Sequence, residues 1–337
     1  MKAIAMNEPG GPEVLARAEL EDLRIESPHA VLVRVQAAGV NPVDTKIRSR
    51  GPMRATTGLT VLGCDGAGVV EAQGSEVTRV RPGDSVWYCS GGLGGVRGNY
   101  AEFNLVDERL IQPLPAGLDI DQAGAAPLVL ITAWESLHDR AGIRPGQQVL
   151  IHGGAGGVGH VAIQLAVAAG ARVATTVSSA EKADFVHRLG AECAINYREE
   201  SLVEAISDWT QGRGVDIALD TVGPDVFRQT IPAMALYGDL VTILDPGSDL
   251  DSKLDLGEAR LRNLRMSLEL MLTPQLRDIG DAQAHQSWIL SQCAELMARG
   301  QLDIHVSESL PLDRAAEAHR RLEAGGMSGK LVLRIDA

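Results

Sequence analysis

Aromatic residues are nearly absent from this chain of 337 residues: Phe, Trp and Tyr together make up 3%. Val, Leu, Ile and Ala must therefore build its core. Cysteine is scarce too. Cys64, Cys89, Cys193 and Cys293 stand far apart and form no Cys-x-x-Cys pair. That usage excludes a disulfide framework and a zinc ribbon, and it fits a reducing compartment. No apolar run is long enough to span a membrane. The start, MKAIAMNEPGG, lacks the cationic and apolar regions of a signal peptide. These features point to the cytoplasm. Positive charge is also in deficit, since the formal net charge is −13. No basic stripe is present, so the overall field repels nucleic acid and anionic lipid. A ligand carrying phosphates must find local positive charge or helix N-termini instead.

The length suits two domains, with a core that needs no staples. The first third reads as β-rich. Residues 31–36 (VLVRVQ) alternate as a strand does, and residues 61–73 have strand character interrupted by glycine. The Arg81-Pro82-Gly83-Asp84 turn delivers a strand at 85–88. The glycine-rich stretch 91–98 reads as a mobile loop or as a surface hairpin. Residues 121–141 read as helical. From there strands at 148–152, 172–177, 193–196, 215–220 and 239–244 alternate with helices at 157–169, 180–189, 202–210 and 225–235. Such alternation specifies a parallel, doubly wound sheet. A strand at 264–270, a helix at 282–299, a second helix at 313–323 and a closing strand at 330–335 complete the chain.

The most informative stretch is HGGAGGVGHVAIQLA, residues 152–166. It holds Gly154-x-Gly156-x-x-Gly159 between an apolar run and a helical pattern. Glycine permits a tight reversal from strand to helix and lets the backbone approach a pyrophosphate. The helix N-terminus then offers free N–H groups and a partial positive charge. Strand, turn and helix come in the required order, so Gly154, Ala155, Gly156, Gly157, Val158 and Gly159 are read as a dinucleotide site. NAD-specific turns place a carboxylate about 20 residues further on, on the ribose hydroxyl. Here the second strand ends in Thr175-Thr176-Val177-Ser178-Ser179, without one, and Lys182 follows. Hydroxyls can donate to a 2′-phosphate, so NADPH is favoured over NADH. Ser178-x-x-Glu181 also reads as a capping box, which is compatible with a phosphate site.

Taken together, the segments NPVDTKIR (41–48), LGCDGAGVVEAQG (62–74), YAEF (100–103), ITAWESL (131–137), GGAGGVG (153–159), INYREE (195–200) and GKLVL (329–333) resemble the medium-chain dehydrogenase/reductase superfamily. The resemblance is to its zinc-independent, zeta-crystallin-like quinone oxidoreductase branch, and it spans essentially the whole chain. It implies a GroES-like β-rich catalytic domain, residues 1–124 and 271–337, around an inserted Rossmann NADP-binding domain, residues 125–270. It implies hydride transfer from NADPH to a quinone or an α,β-unsaturated carbonyl, a small-molecule acceptor as partner, and a homodimer. A dimer of this kind extends the cofactor-domain sheet, and residues 265–270 are either its edge strand or a covered internal one. Two alternatives stay open: a zinc-free NADP-dependent alcohol dehydrogenase, and a non-catalytic NADPH-binding protein.

Zinc-dependent members carry a Cys where Asn41 stands and a His-Glu pair where Cys64-Asp65 stands, so no metal is expected; Cys64 reads as a small buried residue. The resemblance carries phosphate binding onto Ser178, Ser179, Lys182 and Tyr197. Asn41 is the candidate polar group at the nicotinamide, or else a turn residue. Asp44 is expected to orient the site or bond backbone, as an ionised carboxylate. Thr132 resembles a threonine beside the nicotinamide, or it bonds its own helix. Lys46 departs from a family tyrosine and is expected to reach solvent. Tyr88 and Tyr100 read as scaffold, and His152 and His160 as local structure. Val222, Leu244 and Asp245 follow strand ends, where ligands of open α/β sheets bind, and Asp245 opens an Asp245-Pro246-Gly247 turn. Lys330 either reaches the cofactor or merely flanks the last strand.

Overall fold

The computed structural model describes residues 1–245 and 256–335. The chain divides into two compact units. One comprises Met1–Leu128, Leu272–Ala298 and Ile304–Ala337, the other Val129–Met271 and Arg299–Asp303.

The first unit is built on the long strand Ala30–Val40. Val31, Val33 and Val35 alternate inward, and the first two pack with Val70, Val86, Tyr88, Val106 and Ile111. Its sheet runs Val306–Pro311, Lys330–Arg334, Ala30–Val40, Asp65–Gln73, Ser85–Cys89, Ile111–Pro113, and Phe103–Asp107 also pairs with Ala30–Val40. The last strand thus returns to the first third of the chain, with Leu331 opposite Val40. A smaller sheet joins Ala16–Glu19, Lys2–Met6 and Thr60–Val61. Here the structure adds what sequence periodicity did not show. NPVDTKIRSR is not a simple turn: Asn41 caps the helix Pro42–Arg50, with proline at the first helical position, where it needs no N–H. The 91–98 stretch is no surface hairpin. Leu93 is buried, its carbonyl accepts from Arg54, and the Gly95 carbonyl accepts from Val61. A side chain at Gly98 would lie 2.3 Å from the Val61 carbonyl oxygen, so glycine is needed there for close packing.

The second unit is a six-stranded parallel sheet. Its order is Cys193–Asn196, Arg172–Val177, Gln148–Ile151, Val215–Asp220, Met234–Thr242, Arg265–Leu268. Numbered within the unit, that order is 3-2-1-4-5-6, the arrangement of doubly wound dinucleotide-binding sheets. Its central strands are largely buried, with Leu150, Ala174, Ile195, Ala218 and Leu240 in one core cluster. The helix expected at 225–235 is shorter: Pro224–Thr230 gives way to a tight turn at Ile231–Ala233, and the strand begins at Met234. Pro232 lacks the N–H that would continue the helix. The helical run 121–141 is likewise divided, into Ile120–Ala125, Pro127–Trp134 and a widened turn Glu135–Arg140. The Pro246-Gly247 turn lies outside the described residues.

Candidate active site

In the second unit, five strands end side by side. The glycine turn follows Gln148–Ile151, Ser178 and Ser179 follow Arg172–Val177, and Tyr197 follows Cys193–Asn196. Val222 follows Val215–Asp220, and Leu244 and Asp245 follow Met234–Thr242. Parallel pairing forces this clustering, because every strand delivers its chain to the same edge.

The glycines have distinct tasks. A Cβ on Gly154 would lie 2.0 Å from the Thr175 hydroxyl, and one on Gly159 would lie 2.2 Å from the Gly153 carbonyl. Those two allow strand, turn and helix to close up. A Cβ on Gly156 would meet only the Gly153 carbonyl, at 3.2 Å, so that face is open to a ligand. Gly156 begins the helix Gly157–Ala168 and no side chain caps it, so its first N–H groups are left for a ligand such as a pyrophosphate. Ala155 is buried against the turn.

Two neighbouring hydroxyls are already spoken for. Thr175 donates to the Ile151 carbonyl at 2.6 Å, and Thr176 accepts from Gly153 N–H at 2.9 Å. His152 locks this arrangement. Thr230 donates its hydroxyl proton to Val226, so its lone pair receives His152 Nε2–H at 2.8 Å. Nδ1 is then an acceptor for Thr176 at 3.4 Å. Burial pushes the imidazole down to about 4. Ser178 and Lys182 are half-buried, and Tyr197 is exposed, its N–H held by the Val177 carbonyl. Ser179, and not the Ser178 of the capping-box reading, caps the next helix by accepting from Lys182 N–H at 3.4 Å. Asp220 went unnoticed in the sequence. Its buried carboxylate accepts from Val222 and Gly223 N–H and from the Thr242 hydroxyl, which shapes the turn carrying Val222. Thr132 lies buried in the helix Pro127–Trp134, where its carbonyl accepts from the Ser136 hydroxyl. His160 Nδ1 lies 3.0 Å from the Gly156 carbonyl oxygen.

In the first unit, the polar candidates form one buried cluster. Asn41 ends the strand Ala30–Val40, Asp65 begins Asp65–Gln73, and Lys330 begins Lys330–Arg334. The register that sets Leu331 opposite Val40 brings Lys330 to Asn41. The Lys330 ammonium donates to the Asn41 amide oxygen and, at 3.2 Å, to the Val40 carbonyl. It also lies 3.8 Å from Asp65 Oδ2. The Asn41 amide nitrogen donates to that same Asp65 oxygen at 2.9 Å, and Leu128 N–H donates to the other at 2.7 Å. Gly39 makes room: a Cβ there would lie 2.8 Å from Asp65 Oδ2.

Asp44 does bond backbone, accepting from Asn41 N–H at 2.8 Å and Gly63 N–H at 3.2 Å. Its expected full ionisation does not hold. Burial, with Asp65 nearby, outweighs those bonds and raises its carboxyl to about 7. Burial also pushes the Cys64 and Cys89 thiols up. Tyr88 donates to Asn99 and Tyr100 bonds His319, both as buried scaffold. Lys46 is exposed. Lys330 flanks the start of its strand, where its ammonium donates to Asn41 and Val40 beside Asp65, all within its own unit.

Residues 27–116 match the alcohol dehydrogenase GroES-like domain family, and residues 189–333 match the zinc-binding dehydrogenase family. The chain is 34% identical to the quinone oxidoreductase of Pseudomonas aeruginosa, over 96% of each chain. It belongs to the quinone oxidoreductase family of the medium-chain dehydrogenase/reductase superfamily. Among solved structures, an alcohol dehydrogenase superfamily protein from Novosphingobium aromaticivorans superposes with a TM-score of 0.91 at 34% identity, covering 100% of both chains. The Escherichia coli quinone oxidoreductase complexed with NADPH gives a TM-score of 0.87 at 30% identity, covering 99% of this chain and 100% of that one.

The second family's name raises the question of zinc. The residues of this quinone oxidoreductase family member do not fit one. Among the described residues no group of three or more His, Cys, Asp and Glu side chains could hold a metal. Where a ligand set would have to form, an ammonium already holds the Asn41 oxygen.

Proposed function

We propose that this chain is an NADPH-dependent oxidoreductase that transfers hydride to a quinone or an α,β-unsaturated carbonyl. The observation that carries the reading is the glycine turn beside a strand end rich in hydroxyls and free of carboxylate. In the Escherichia coli relative the bound cofactor is NADPH. When bound, NADPH supplies a hydride from its nicotinamide ring; a proton from solvent or a side chain completes the two-electron reduction of the acceptor. The residues of this chain bind and orient. Gly154–Gly159 and the open start of Gly157–Ala168 receive the pyrophosphate. Ser178, Ser179, Lys182 and Tyr197 receive the 2′-phosphate, and Val222, Leu244 and Asp245 border the nicotinamide. Thr132 and Asn41 are proposed as polar groups at the reacting end, with Asp44 fixing the Asn41 backbone.

Loss of NADPH absorbance with a naphthoquinone or an enone tests the reading. We expect turnover with NADPH at least tenfold more efficient than with NADH. Tight NADPH binding without turnover across a broad acceptor panel would leave only a binding protein. Chelator-insensitive oxidation of simple alcohols with NADP+ would move the assignment to an alcohol dehydrogenase.

The protein is further proposed to act in the cytoplasm, in keeping with four cysteines that are all free. Among the described residues no helix is long and apolar enough to cross a membrane. It is proposed to be a homodimer joined along the edge strand Arg265–Leu268. Leu236, Tyr237, Leu261 and Leu268 are each at least 65% exposed on this side of the sheet, a costly display for a monomer.

A further inference from the structure

Lys330 is 3% exposed, in a pocket that also buries two carboxylates, Asp44 and Asp65. A buried ammonium is tolerated only when it is paired and hydrogen-bonded, and the cluster supplies both conditions. The Val40 and Asn41 oxygens accept its protons, and Asp65 Oδ2 lies 3.8 Å away. Burial lowers the Lys330 pKa, while the two carboxylates oppose that shift and favour the charged form.

The polarity of this cluster has one solution. An ammonium only donates and an ionised carboxylate only accepts. Asn41 lies between them, so its oxygen must face Lys330 and its NH2 group must face Asp65. One Asn41 N–H goes to Asp65, and the other is the donor Asn41 can offer at the reacting end, where the proposed function places it. Without Lys330 the amide loses the contact that holds its oxygen in place, and Asp65 loses its counter-charge. A family match named for zinc is therefore combined here with a cation built into the chain.

We propose that Lys330 is the resident cation of this site, a positioning residue that fixes the Asn41 amide and neutralises Asp65, and that it governs the rate of hydride transfer and not the affinity for NADPH. This rests on the reading of Asn41 as the polar group at the acceptor, and Asn41→Leu tests that reading by itself.

The decisive measurement is Lys330→Met in the full-length protein. Its kcat, KM for a naphthoquinone and NADPH dissociation constant, the last from nicotinamide fluorescence, are compared with wild type. We expect kcat to fall about ten- to a hundredfold, the range for groups that orient another functional residue, with NADPH affinity unchanged within about twofold. Because an unpaired Asp65 can unfold the protein, the charge-balanced variant Lys330→Met with Asp65→Asn is measured beside it. It is expected to regain thermal stability without regaining kcat. Wild-type kcat in either folded variant overturns the proposal. So does an NADPH affinity weakened tenfold with kcat intact, which would make Lys330 a cofactor contact. If Asn41→Leu keeps wild-type kcat, the reading of Asn41 fails and the proposal built on it falls too. If Asn41→Leu loses kcat while Lys330→Met does not, only the proposal fails.

Discussion

His152 shows how much one side chain can hold. It is flanked by Thr176 and Thr230, and through Thr176 it reaches Gly153, where the dinucleotide turn begins. Its folded pKa, about 4, lies below the ordinary 6.5. An unfolded chain therefore takes up a proton first as pH falls, so stability is lost between about pH 6.5 and 4 and is fully present above that window. A shift of this size corresponds to about 3 kcal/mol. In urea denaturation, His152→Gln is expected to be less stable than wild type at pH 7, and the gap should narrow by roughly that amount near pH 4. His319, also held neutral by burial, is common to both proteins and cancels. A gap that stays constant with pH would show that His152 is not held neutral. Nothing in the sequence marks this histidine as different from His160. The distinction comes from Thr230, which lies 78 positions away.

At the scale of elements, the turn between Gln148–Ile151 and Gly157–Ala168 was legible because its demands are local. A backbone that must reverse tightly and approach a phosphate needs glycine, and no distant residue can replace it. The structure separates the three glycines by task, and the separation can be measured. Gly159→Ala forces a methyl against the Gly153 carbonyl and is expected to destabilise by about 1–3 kcal/mol, read as a lowered melting temperature. Gly156→Ala meets only the Gly153 carbonyl, at 3.2 Å, a contact relieved by a shift of a few tenths of an ångström; it should melt closer to wild type than Gly159→Ala, yet bind NADPH about tenfold more weakly, a difference of about 1.4 kcal/mol. Equal melting temperatures and equal affinities would dissolve the distinction. The helix Pro42–Arg50 was harder to read. Asn-Pro begins turns as readily as helices, and the preference for a helix here depends on partners far along the chain. Arg48, buried on that helix, pairs with Glu323 and bonds the Gly10 carbonyl.

At the scale of the whole molecule, the proposed dimer is testable. Arg265–Leu268 is the last strand of its sheet among the described residues, and an aspartate at Leu268, 65% exposed, would charge that edge. Leu268→Asp is expected to sediment as a monomer with its fold intact by circular dichroism; a monomeric wild type would refute the interface. The same scale separates the two sources of knowledge. The order of strands and helices, the glycine turn, the missing carboxylate and the acidic surface are local or compositional properties, and the amino-acid order alone settles them. Lys330 meets Asn41 across 289 positions, Asn41 meets Asp65 across 24, and the charge state of Asp44 depends on what surrounds it. Burial and distance decide such pairings, and both exist only once strand register brings the two ends of the chain together.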